Sequence, residues 1–184
     1  GDGGGLRSRS NLTIINSTIA SNTSLENGGG LDEDSSVVNM RNSVVQFNFA
    51  LSEGGGIQSN TELTIEDSTV YSNSSTLSGG GIWNDGSASI VNSRIVTNEA
   101  DIHGGIGNVA GSLSIVDSVV QGNRATQKGG GVGNVGGQVN TIRSIIANNH
   151  VTDSAGGGGG LFNVDGGQLS LLDSQVRGNS AFAG

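Results

Sequence analysis

The sequence predicts an all-β fold, a parallel β-helix of about seven coils of about 25 residues with three short strands per coil, and three observations carry that expectation. An apolar residue follows a glycine run at Leu6, Leu31, Ile57, Ile82, Ile106, Val132 and Leu161. An asparagine recurs at Asn22, Asn48, Asn73, Asn98, Asn123, Asn149 and Asn179. Between these anchors runs an alternation of apolar and small polar residues. Both anchor series step by 24 to 30 residues, so they report one period.

Each unit opens on its glycine run, which reads as a tight corner where a positive φ or a close backbone approach excludes a Cβ. An alternating segment follows, clearest as Leu12-Thr13-Ile14, Leu63-Thr64-Ile65 and Leu113-Ser114-Ile115. Period-two alternation is the mark of a strand with one buried face. A serine comes next, at Ser17, Ser43, Ser68, Ser93, Ser118, Ser144 and Ser174, and Asn or Asp precedes it in every unit except at Arg143. Then come the β-branched residues Ile19, Val45, Val70, Ile95, Val120, Ile146 and Val176, three positions ahead of the anchored Asn. β-Branched side chains suit a pleated, half-buried surface, and no 3.6-residue period competes with this reading.

A unit of this size cannot bury its apolar face alone, so the units must stack, each strand pairing with the equivalent strand above and below. Seven coils about 4.8 Å apart make a rod on the order of 30 to 35 Å long. Stacking turns every recurring position into a column. The anchored Asn residues then form a ladder that satisfies turn amides. A second, partial column of Asn84, Asn108, Asn134 and Asn163 reads as turn structure too, and Thr13, Asn39, Thr64, Ser89, Ser114, Asn140 and Ser170 form an outward polar row.

Composition narrows the function classes. Sixteen acidic residues against eight basic ones give a net charge of -8, with one lysine, Lys128, and scattered arginines. Nucleic-acid binding needs clustered cations and is disfavoured. There is no cysteine, hence no disulfide framework or thiolate metal site, and no apolar run long enough for a membrane helix. No cofactor is expected, since the glycine runs lack the lysine and the following helix of a phosphate loop, and no metal is expected, since no Asp-rich calcium-binding signature appears. The first residues, GDGGGL, and the last, SAFAG, suggest that the single domain 1–184 is a segment of a longer chain or of an end-to-end assembly.

Residues that break the repeat are the candidates for function. Asp32, Glu33 and Asp34 are the densest carboxylates; as consecutive residues they read as a solvated turn rather than a catalytic pair, and no catalytic residue is assigned. Asp67, Asp117 and Asp173 interchange with Asn16, Asn42 and Asn92, which points to a turn role. His103 replaces the first glycine of its run. Tyr71, Trp83 and Phe162 fall at outward positions, where aromatic rings can stack on sugars or fill a partner's pocket. The stretch HVTDSAGGGGG, with His150 and Asp153, is about three residues longer than its counterparts and reads as a protruding loop suited to a contact.

The pairing of Gly-Gly-apolar steps, as in Gly29-Gly30-Leu31 and Gly80-Gly81-Ile82, with apolar-x-x-Asn steps, as in Ile19-Ala20-Ser21-Asn22 and Ile95-Val96-Thr97-Asn98, resembles the repeats of bacterial polymorphic outer-membrane proteins and related β-helix surface proteins. Ile or Val stands here where that family's second step has Phe. The resemblance implies a right-handed coil, in keeping with the hand of parallel crossovers. It also implies a place outside a bacterial or archaeal cell, and a role in adhesion or as a rigid passenger, stalk or filament subunit. The expected function is therefore a non-catalytic structural or adhesive module. Its expected partners are neighbouring coils or further copies of itself, and a host surface or polysaccharide. A polysaccharide-binding or polysaccharide-cleaving β-helix is the alternative.

Overall fold

A computed structural model describes residues 1–153 and 157–182. Four parallel sheets of seven strands run through the stack, and each coil contributes one strand to each sheet. The third coil shows the plan: Ile57–Ser59 lies in the first sheet, Glu62–Glu66 in the second, Thr69–Tyr71 in the third and Ser74–Ser75 in the fourth. The chain is thus a parallel β-solenoid of seven coils, with four strands per coil where the sequence predicted three. The fourth strand is only two residues long in five of the coils, among them Thr23–Ser24 and His150–Val151. Two residues are too few to display a period of two, which hid it from sequence reading.

Register follows the sequence columns. Leu63 pairs with Val38 and Ala88, Thr64 with Asn39 and Ser89, and Ile65 with Met40 and Ile90. The polar row from Thr13 to Ser170 is accordingly one outward column of the second sheet. The core takes the glycine-run anchors, both apolar positions of the second sheet and the β-branched residue of the third, as with Ile57, Leu63, Ile65 and Val70. Each fully buried Ile or Leu contributes roughly 1.5–3 kcal/mol of transfer free energy. Small residues such as Ala50, Ser75, Ala100 and Ala125 close the core beneath the narrow fourth sheet.

The corners explain the rest of the repeat. Gly79 opens its run at φ +63°, and a Cβ on Gly55, second in its run, would sit 2.3 Å from the carbonyl oxygen of Ser74. Between the second and third sheets the residue before the serine is left-handed in every coil, from Asn16 at φ 50° to Asp173 at φ 51°. Asn and Asp tolerate that conformation best, which accounts for their interchange. Arg143, the exception at φ 46°, is held by a two-pronged pair with Asp117, Nε to Oδ1 and Nη2 to Oδ2, both 2.8 Å.

Candidate functional site

Stacking consumes the polar columns from the inside. Asn48 donates its backbone N–H and its Nδ2 to Asn73 Oδ1, at 3.0 and 2.9 Å, and a second Nδ2 bond goes to the Ile19 carbonyl. The same pattern continues from coil to coil as far as Asn179. The serines form a parallel series in which each hydroxyl accepts the previous coil's amide, as Ser68 Oγ does from Ser43 N–H at 3.0 Å. Asn84, Asn108, Asn134 and Asn163 make a further side-chain ladder with steps of 2.6, 2.8 and 2.7 Å.

Glu33 occupies that last column two coils earlier. The expectation of a solvated turn at Asp32–Asp34 is overturned: Asp32 and Glu33 belong to the strand Leu31–Glu33 and are buried, and only Asp34 is partly exposed. Glu33 faces inward, where Oε1 accepts from Ser35 N–H, Ser36 N–H and Thr61 Oγ1, and Oε2 from Ser59 Oγ, Asn60 N–H and Thr61 N–H. Burial by itself would raise its pKa. The converging donors from Ser36, Thr61 and Ser59 outweigh that and hold the carboxyl below the usual range. Ser59, too short to continue the ladder, gives its hydroxyl to Glu33, and Asn84 Oδ1 has no donor among the described residues.

Asp32 faces the opposite side of the strand, as its neighbour must. Arg7 Nε lies 3.2 Å from Asp32 Oδ2, and Arg7 Nη2 lies 3.1 Å from both Asp2 and Asp34. Arg9 also reaches Asp34, at 3.1 Å. Burial, then the Asp2 carboxylate, pushes Asp32 up to about 6 against the pull of Arg7. Because Asp32 and Glu33 point to opposite faces, they cannot flank one glycosidic bond.

The outward position of Asp32 is one rung of a column. Register places Arg7, Asp32, Gln58, Trp83, Gly107, Gly133 and Phe162 side by side on the outer face of the first sheet. The two glycines leave a slot, and the ring of His103 fills it from the preceding corner; a Cβ on Gly133 would fall 1.8 Å from His103 Cδ2. The imidazole centroid lies 6.4 Å from Trp83 and 6.5 Å from Phe162, and Lys128 Nζ lies 5.4 Å from the Phe162 ring. Ser78 Oγ sits 2.9 Å from His103 Nδ1, whereas Nε2 is buried without a partner among the described residues. Burial, then the Lys128 charge, lowers the His103 pKa to about 4.

The other predicted contact residues lie apart from this column. Trp83 and Phe162 share it, half-buried, but Tyr71 belongs to the third sheet, where its ring meets Phe47 edge-on at 5.3 Å. His150 is on the fourth sheet, 2.6 Å from Ser180 Oγ and edge-on to Phe182. Asp153 is exposed and bonds Thr126 through its backbone N–H; residues 154–156 of the predicted loop lie outside the described residues. Sequence reading missed Arg7 and Gln58 as members of one face. The signal was available: the column is the residue one place after each glycine-run anchor.

No protein-family model, curated protein or solved structure matches this chain.

Proposed function

We propose that this chain is a non-catalytic structural or adhesive β-solenoid module, a rigid rod working at the outside of a bacterial or archaeal cell in the manner of the surface-protein repeats it resembles. The supporting observation is the state of Glu33. The most deeply placed carboxylate of the non-repeating residues is spent on pinning one turn between two coils, with its lone pairs filled by backbone and hydroxyl donors. In this reading Asp34 and Asp32 serve the same end, through Arg7 and Arg9. The test is turnover of acidic and neutral polysaccharides by the purified chain, alongside its retention on cell surfaces. Surface retention without turnover is the expected result; turnover lost on Asp32→Asn would overturn it.

A polysaccharide-binding reading has one observation in its favour, the shared column of Arg7, Asp32, Gln58, Trp83 and Phe162. Charged, amide and aromatic side chains from successive coils are what an extended sugar chain engages. Trp83 is the only tryptophan, so its fluorescence reports on this face directly. A saturable change on titration with a polysaccharide, abolished by Phe162→Ala, would favour this second reading.

A further inference from the structure

We infer that the outward apolar face of the second coil, where the third sheet turns into the fourth, docks a basic amphipathic helix of another protein. The inference rests on the adhesive reading and names the chemistry of the partner that such a rod holds.

Phe47, Phe49 and Leu51 alternate with the buried Asn48 and Ala50, so all three side chains point away from the core. No other coil carries apolar residues at all three of these positions; the fifth, for instance, has Gly122, Arg124 and Thr126. Leu25 precedes Leu51 in its column, as Thr23 precedes Phe49. Leu77 lies on the third coil, and the Tyr71 ring of that coil meets Phe47 edge-on at 5.3 Å. Leu25, Phe47, Leu51 and Leu77 are 71%, 55%, 50% and 49% exposed. The core gains nothing from these outward side chains, and Phe47 occupies a left-handed backbone, φ 54°, that disfavours a bulky residue. A contiguous apolar patch of this kind marks a contact surface.

Charge selects the occupant. Around the patch, residues 16–28, 42–54 and 67–79 carry Glu26, Glu53 and Asp67 and no Lys or Arg. Next to Leu77 an open groove of about 640 Å³ continues along the fourth sheet, lined by Ser74, Thr76, Leu77, Glu99, Asp101 and Thr126. Arg124, one coil past Glu99, is paired with it. The apolar face is therefore bordered by carboxylates. A second copy, at net charge -8, and an anionic lipid surface are both repelled, whereas Lys and Arg set beside apolar side chains are attracted. From the first coil to the third the patch rises by two steps of about 4.8 Å, so it is about as wide as one α-helix. A helix laid along the second coil covers Phe47, Phe49 and Leu51 with its apolar side and brings its basic flanks to Glu26 and Glu53.

Fluorescence anisotropy with a labelled helical peptide of Leu and Lys, against a counterpart of Leu and Glu, tests the face. Phe47→Asn, Phe49→Ser and Leu51→Thr together install residue types that other coils use, and circular dichroism checks that the variant folds. The wild type should bind the Leu/Lys peptide and not the Leu/Glu one, and the triple variant should bind it about tenfold more weakly or worse. Glu53→Gln should also weaken binding and lower its salt dependence. Unaltered binding by the folded triple variant overturns the proposal, and so does equal binding of the two peptides or no binding of either. Self-association in sedimentation that the triple variant loses would assign the face to a second copy, and capture by anionic vesicles that it loses would assign the face to a lipid surface; either result overturns the basic partner. Cell-surface retention kept by the triple variant would strike this face alone, whereas no retention of the wild type would strike the adhesive reading on which it rests.

Discussion

Asn98 Oδ1 accepts both the backbone N–H and the Nδ2 of Asn73, at 3.0 and 3.1 Å, while its own Nδ2 donates to Asn123 Oδ1 at 3.0 Å and to the Val70 carbonyl at 3.1 Å. One side chain thus serves three coils. Asn98→Ala leaves buried donors and acceptors on both sides without partners and should cost about 2–4 kcal/mol. Asn22→Ala, at the half-exposed first rung, should cost about 1 kcal/mol. Thermal unfolding of the two variants checks the ranking, and equal losses would count against a cooperative ladder.

Glu33→Gln places an amide donor among hydroxyl and backbone donors that now bond a carboxylate. A loss of about 2–3 kcal/mol at neutral pH is expected. The folded-state pKa lies below the ordinary 4.5. Its contribution is therefore complete above that value and disappears as pH falls through the folded pKa. Denaturant titrations should show the wild type losing its advantage over the variant in acid, and a pH-independent gap would contradict the assignment.

His103 acts in a higher window. Its folded pKa of about 4 against 6.5 unfolded means that the neutral ring is favoured in the fold. Its contribution is full above 6.5 and is lost between 6.5 and 4 as the unfolded chain takes up the proton first. The difference corresponds to about 3 kcal/mol. Asp32, raised to about 6, works against this by gaining stability on acidification from 6 to its ordinary 3.8. His103→Gly, which restores the residue used at this corner by other coils, should flatten the fall between pH 6.5 and 4. An unchanged slope would show that the imidazole does not titrate in the slot.

Phe47 is exposed and left-handed at φ 54°, at a corner that elsewhere uses Ser21, Ser72, Thr97, Gly122, Asn148 and Gly178. Such a conformation costs a bulky L-residue about 1–2 kcal/mol. Phe47→Asn should raise stability by about 1 kcal/mol in chemical denaturation, less whatever the edge-on contact with Tyr71 contributes. A destabilised variant would mean that the ring contact outweighs the strain.

Much of this architecture was legible because it is periodic. Leu63, Ile65, Val70 and Asn73 recur in kind every 25 or so residues, and repetition of a period-two segment leaves parallel stacking as the way to bury it. The same regularity concealed what is not repeated. Glu33 was invisible as a buried anchor because a carboxylate inside a solenoid contradicts its ordinary preference, and only the convergence of Ser36, Ser59, Asn60 and Thr61 overcomes that. His103 likewise reads as an odd glycine substitution until Gly107 and Gly133 are seen to leave room for its ring.

The sequence by itself determined the period, the inward columns and the asparagine ladder, because these follow from alternation along one strand and from recurrence at one spacing. The tertiary structure decided the number of strands per coil, the opposite fates of Asp32 and Glu33, and the assembly of Arg7, Asp32, Gln58, Trp83 and Phe162 into one face. The physical reason is register: side chains alternate faces along a strand, so a single residue's shift between coils would exchange a buried anchor for an exposed one. Only the paired backbones set that shift.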